Sequence, residues 1–116
     1  VESLISGIDY APTLLSMAGA EPSEDMQGKS FWPIVEGEEE SIRDELFIGY
    51  LGYGAIHTKE WHYYARVPDV PTPRPPKEVP PHLFDLRQDP EERTNVTEQQ
   101  PQVAEQLHQR LMERFR

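Results

Sequence analysis

Seven of the chain's twelve prolines fall between residues 68 and 81. Proline lacks an amide hydrogen and fixes its own φ, so such a run donates too few hydrogen bonds to enter a sheet or a helix. The stretch predicts an extended, polyproline-like loop on the surface. Twelve prolines among 116 residues is about twice the usual share of roughly 5%. A plain helical bundle is therefore disfavoured, and short elements with irregular connections are expected. The length allows one domain at most, at roughly 100–200 residues per domain.

Start and stop signals outline the elements. Residues 7–19 predict a helix: Asp9 caps it, Pro12 sits in the first turn where no donor is lost, and Gly19 supplies the left-handed stop. Leu14, Leu15 and Ala18 are expected to form its buried stripe, with Ile8 packing back on the first turn. Residues 20–30 form a polar loop. Ser30 then caps a short helix through Val35 that ends at Gly37, and Glu38 to Glu40 form a solvated acidic run. A strand follows at 45–51, with Gly49, Gly52 and Gly54 making the next stretch turn-like or bulged. Residues 55–58 and 61–67 read as a hairpin around Lys59 and Glu60. Residues 82–86 form a short strand, followed by a turn at Asp89-Pro90. From Pro101 to Phe115, Val103, Ala104, Leu107, Leu111, Met112 and Phe115 share one helical face.

This order predicts an α+β fold: a small antiparallel sheet of three to four strands, covered by the C-terminal helix. The first helix does not belong to that sheet. It is too short to stand alone and must pack on something.

Twenty-one acidic and eleven basic residues give a formal charge of −10. Such a surface disfavours nucleic acid and anionic lipid as partners. No apolar run approaches the ~20 residues that span a bilayer. The charge is lopsided: residues 1–60 carry net −9, and residues 61–116 net −1. Zero cysteines exclude disulfides, thiolate catalysis and cysteine–zinc sites. Val1-Glu2-Ser3-Leu4 has neither an initiator Met nor the pattern of a signal peptide, so a mature form or a fragment is expected.

Few residues look catalytic. The sequence has no Gly-x-Ser-x-Gly elbow and no phosphate-cradling glycine loop. His57 and His62 stand five apart across a tight turn, where a cross-strand approach is available, but no third metal ligand accompanies them. Glu105 and His108 have Glu-x-x-His spacing without the second motif that a di-metal site needs, so a solvated helix edge is expected. Asp85 and Asp89 read as turn residues rather than an acid/base pair. Asn95 is expected to bond nearby backbone. His57 and Lys59, near a hairpin tip, could reach an anionic substrate, although an exposed strand edge is the commoner role of such residues.

Three blocks carry a resemblance. Ile8-Asp9-Tyr10-Ala11-Pro12-Thr13-Leu14-Leu15-Ser16-Met17-Ala18-Gly19 resembles the Asp-x-x-Pro-Thr-Leu-Leu-x-x-Ala-Gly helix near the end of the large domain in the sulfatase family. Residues 27–37, QGKSFWPIVEG, look like that family's next segment, Gly-x-Ser-Leu-x-Pro-Leu-Leu-x-Gly. Leu83-Phe84-Asp85-Leu86, with Asp89-Pro90-Glu91-Glu92 and Asn95, is similar to its Leu-Tyr-Asp-Leu-x-x-Asp-Pro-x-Glu-x-x-Asn stretch. Between them, residues 55–64 occupy the place of an Arg-Thr-x-x-Tyr-Lys-Tyr hairpin, with His57 for the usual Arg and His62 for the usual Lys.

The resemblance implies a parent that hydrolyses sulfate esters within the alkaline-phosphatase-like superfamily. It would use calcium and a formylglycine made from Cys or Ser in a Cys/Ser-x-Pro-x-Arg motif. It would act on a sulfated small molecule or glycan, and in this family it would usually be exported. Those motifs lie upstream in the family, and this chain has neither Cys nor Ser-x-Pro-x-Arg. No catalytic or metal residue is carried over, and the 116 residues alone are expected to be inactive. Residues 1–40 are then the tail of the catalytic domain, and residues 41–116 a C-terminal α+β subdomain. Its partner is the missing N-terminal catalytic domain. The family's C-terminal sheet edges the substrate cleft, which makes His57, Lys59 and the 68–81 loop candidates for substrate contact. Two alternatives stay open: a related phosphodiester or phosphonate hydrolase, and a free-standing acidic interaction module. A fragment of the larger enzyme would expose an apolar face on helix 9–18.

Overall fold

The computed structural model describes residues 2–68 and 79–115. Most of the proline-rich 68–81 loop lies outside the described residues. The chain forms two compact units, Val1–Leu46 and Phe47–Arg116.

The first unit is built around Asp9. A 3-10 turn, Gly7–Asp9, leads into α1, Tyr10–Met17, and a one-turn helix α2 spans Trp32–Val35. Asp9 is fully buried. Its carboxylate accepts the amide of Ser6 at 2.7 Å, the amide of Lys29 at 2.8 Å and the Arg43 guanidinium. Asp9 thus reaches back from the end of the 3-10 turn, instead of capping α1 from the non-helical position expected. Thr13 continues the frame: its hydroxyl donates to the Asp9 carbonyl at 2.6 Å and accepts the Phe31 amide at 2.9 Å. Gly28 passes so close that a Cβ there would lie 2.0 Å from the Ile8 carbonyl oxygen. A larger residue would push the loop off Asp9.

The expected burial on α1 is overturned. Pro12 and Thr13 are its buried residues, while Leu14 and Ala18 are exposed and Leu15 is half-buried. Ile8 also faces solvent instead of stapling the first turn. The cause is the Thr13 hydroxyl, which must face the loop it holds and so turns the neighbouring leucine outward. Gly19 (φ 75°) and Gly37 (φ 78°) take the left-handed stops as expected.

The second unit is a meander with the strand order β1-β2-β3-β4, formed by Glu45–Tyr50 (β1, from Phe47 on), Tyr53–Thr58 (β2), Trp61–Arg66 (β3) and His82–Asp85 (β4). The β2–β3 and β3–β4 pairs are antiparallel. Helix α3, Pro101–Arg114, covers one face. Alternation along the strands sends Ile56, Tyr63, Ala65 and Leu83 to that face, where they meet Ala104, Leu107 and Leu111. The expected α+β architecture is what the chain adopts.

The glycines differ from expectation. The turn after β1 is made by Leu51 (φ 47°) and Gly52 (φ 82°). Gly49 and Gly54 lie inside strands instead. A Cβ on Gly54 would stand 2.8 Å from Val67 Cγ2 and 3.1 Å from Leu111 Cδ1, so its missing side chain is the space that lets α3 settle on β2. Asn95 ties the segment after β4 to the sheet edge: its carboxamide accepts the Leu83 amide at 3.1 Å and donates to the Pro81 carbonyl at 3.2 Å. Asp89 accepts the amides of Arg93 and Thr94, the turn role expected of it.

Candidate functional site

The face of the sheet opposite α3 carries rings. On β2 and β3, His57 pairs with His62 in register at the last rung before the Lys59–Glu60 turn. Next along the face, His62 pairs with Phe84 and Tyr64 with His82. Side chains directly opposite each other lie close in an antiparallel pair. The rings of His57 and His62 therefore stack, with centroids 5.1 Å apart and planes 19° from parallel. Tyr64 and His82 stack at 4.8 Å and 9°. Phe84 lies between these pairs, 6.2 Å from His62 and 6.3 Å from Tyr64.

One carboxylate joins the rings. Glu92 Oε1 lies 2.6 Å from His62 Nδ1. Glu92 takes φ 55° in the turn after β4, a left-handed conformation that costs a non-glycine residue about 1–2 kcal/mol. The turn is held by the Glu92 amide on the Asp89 carbonyl at 3.1 Å. Burial pushes the His57 imidazole below its ordinary range, the His62 ring beside it pushes the same way, and Glu92 opposes both. The stack thus disfavours the protonated form of His57.

Tyr64 also belongs to a neighbouring apolar groove of about 430 Å³ on the sheet, with Ile48, Tyr50, Leu51, Tyr53 and Val79 among its walls. Ile48, Tyr50, Leu51 and Val79 are exposed.

The two expected candidates part company here. His57 sits in the ring cluster. Lys59 stands exposed in the turn and takes no part in the contacts of that cluster. Glu92, Tyr64 and His82 are additions that sequence reasoning missed. Strand parity could have put His62, Tyr64, His82 and Phe84 on one face, but no local signal ties Glu92 to His62. Glu105 and His108 also separate: Glu105 is exposed, while His108 Nδ1 lies 2.9 Å from the hydroxyl of Tyr63. The helix edge is therefore not wholly solvated, because Tyr63 comes up from the core with a hydroxyl that needs a partner. Burial pushes that hydroxyl up to about 12.

Among the described residues, no group of three His, Cys, Asp or Glu is placed to hold a metal ion. The chain has neither a cysteine nor a Ser-x-Pro-x-Arg run that could supply a formylglycine. Among the described residues, none forms a set that would hold either group. No helix among the described residues is long and apolar enough to cross a membrane.

Comparison with known proteins fixes the class. Residues 1–116 match the family described as N-sulphoglucosamine sulphohydrolase, C-terminal. The chain belongs to that family, the C-terminal region of the sulfatases, whose fold is alkaline-phosphatase-like. It is 31% identical over 93 residues to an N-acetylglucosamine-6-O-sulfatase of Bacteroides thetaiotaomicron, covering 77% of this chain and 17% of the relative. It is 27% identical over 127 residues to human arylsulfatase K, covering 96% of this chain and 22% of the relative. The chain thus spans about a fifth of the curated relatives it matches. Two solved structures share the fold. One is a complex with its substrate D-glucosamine-2-N,6-O-disulfate (TM-score 0.67, 24% identity, 90% of this chain and 22% of that one). The other is the phosphonate monoester hydrolase of Agrobacterium radiobacter (TM-score 0.68, 24% identity, 97% and 25%).

Proposed function

We propose that this chain is the C-terminal part of a sulfuric ester hydrolase, packed on a catalytic portion and forming one wall of its substrate cleft. The observation that carries this reading is the match of residues 1–116 to a sulfatase C-terminal family, combined with relatives about five times longer. The parent would hold calcium and formylglycine in its catalytic portion, as membership of the sulfatase family suggests. Its substrate would be a sulfated sugar, as the names of the relatives suggest. This chain would supply no catalytic residue.

Within that wall, His57 and Lys59 are the substrate contacts. A sulfate monoester near His57 would raise its proton affinity, and the resulting imidazolium would donate a charge-assisted hydrogen bond. Lys59 would add a second cation from the turn. Residues 1–40 would complete the catalytic domain, and residues 41–116 would form the subdomain proper.

The fold is shared with a phosphonate monoester hydrolase, so the fold alone does not separate sulfur from phosphorus. The test is turnover by the complete reading frame that carries this chain. Release of sulfate from glucosamine 6-sulfate supports the proposal. Turnover of a phenylphosphonate ester with no sulfate release favours the phosphonate reading. Activity toward neither leaves the acidic interaction module.

A further inference from the structure

The ring-bearing face of the sheet has a gap in it, and the gap is the apolar groove beside Tyr64. Ala55 on β2 stands opposite Tyr64 on β3, and Tyr64 stands opposite His82 on β4. A methyl group thus falls in a row of large side chains, with Ile48 and Tyr50 of β1 on its far side. Neighbouring strands lie ~4.8 Å apart, so walls on β1 and β3 stand about 10 Å apart, with Gly54 and Ala55 beneath. That is about the width of two successive ring-to-ring contacts of ~5 Å, enough for one ring held between the walls.

The walls are fixed. Tyr64 is held upright by its stack on His82, and His82 Nδ1 lies 2.7 Å from the Pro80 carbonyl oxygen. The face of Tyr64 turned away from His82 looks onto Ala55 and the slot. Tyr53 closes one end, its hydroxyl accepting the Val79 amide at 3.0 Å.

We infer that this slot binds a sugar ring, the neighbour of the ring whose sulfate meets His57; the inference deepens the proposed function and rests on it for the class of substrate. Shape and lining select the ligand. A pyranose presents C–H bonds on its two faces and hydroxyls around its rim. Flat apolar walls against the faces gain burial and stacking. The open mouth, where Tyr50 is 75% exposed, leaves the hydroxyls in water, so none is buried without a partner. The volume of about 430 Å³ falls within the roughly 300–1,000 Å³ of small-ligand sites. Ring steps of 6.2 Å from Tyr64 to His62 and 5.1 Å from His62 to His57 put the slot one sugar beyond the sulfate contact.

The complete protein tests this with a probe that carries no sulfate, the disaccharide of N-acetylglucosamine. Saturation-transfer NMR should show the strongest transfer to the C–H protons of one ring. Ala55→Leu, which fills the floor, should raise the Kd about tenfold, and Tyr50→Ala, at an exposed position outside the core, about fivefold. His57→Ala should leave the affinity for this neutral sugar within about twofold. Absence of binding overturns the inference, and so does a Kd unchanged in Tyr50→Ala, whether or not Ala55→Leu folds. Tighter binding of phenol than of the sugar makes the slot an aryl site and overturns it. A wild type whose Tyr50 resists nitration without sugar has another part of the protein in the slot, which overturns it as well. Sulfate release from glucosamine 6-sulfate is scored separately. Release without disaccharide binding sinks this inference alone, and binding without release sinks the sulfatase reading alone.

Discussion

Asp9 is a carboxylate with no exposed surface, satisfied by two amides and one guanidinium. A paired buried charge is neutral to costly as a whole, but removing one partner strands the other. Asp9→Ala should therefore destabilise the first unit by about 3–5 kcal/mol. Urea unfolding followed by Trp32 fluorescence in a Trp61→Phe background measures this, since Trp32 lies in that unit. A loss under ~1 kcal/mol, the scale of a surface pair, would sink the keystone role. His57 poses the opposite problem, a neutral group resisting a proton. Its folded-state value lies below the ordinary 6.5, so the unfolded chain binds the proton first. Stability should be intact above 6.5 and should fall as the pH drops below it toward the folded-state value. Imidazole NMR should show His57 titrating below 6.5. Glu92→Gln should lower its value further, because Glu92 is the group that raises it. A rise in Glu92→Gln would contradict the cluster.

At the scale of elements, α3 and the sheet were legible and the open faces were not. Val103, Ala104, Leu107 and Leu111 announce one helical face because core burial leaves a 3.6-residue period that needs no knowledge of the partner. Leu111 is fully buried against Gly54, so Leu111→Ala should cost about 2–5 kcal/mol, read as a lower midpoint in thermal unfolding. The same periodic logic fails within α1's own unit, where Leu14 and Ala18 stay exposed, as the apolar face expected of a fragment would be. Period reports which residues share a face, not which face the rest of the molecule covers. Here the buried face was chosen by Thr13, a hydroxyl with two hydrogen-bond partners. Gly54 was misjudged for a related reason: a glycine that makes room for a neighbouring helix looks, in sequence, like a glycine that makes a turn. The His57–His62 approach followed from hairpin register, whereas the Glu92 contact depends on a left-handed backbone after β4 that local sequence did not announce.

The whole-molecule question is what this region would do within the proposed parent enzyme. If the ring face with His57 lines the cleft, its groups bind substrate without touching the bond that breaks. Interactions made equally in the ground and transition states change KM and leave kcat alone. His57→Ala in the complete protein should therefore raise KM for a sulfated sugar about tenfold, the effect of ~1.4 kcal/mol of lost binding, with kcat within twofold. Lys59→Ala should act in the same direction but more weakly, because an exposed cation is screened by salt. The pH profile gives a second check. Binding that needs the His57 imidazolium should weaken as the pH rises, and His57→Ala should remove that slope, whereas a purely structural histidine would leave it in place. Unchanged KM in both variants would confine the region to packing.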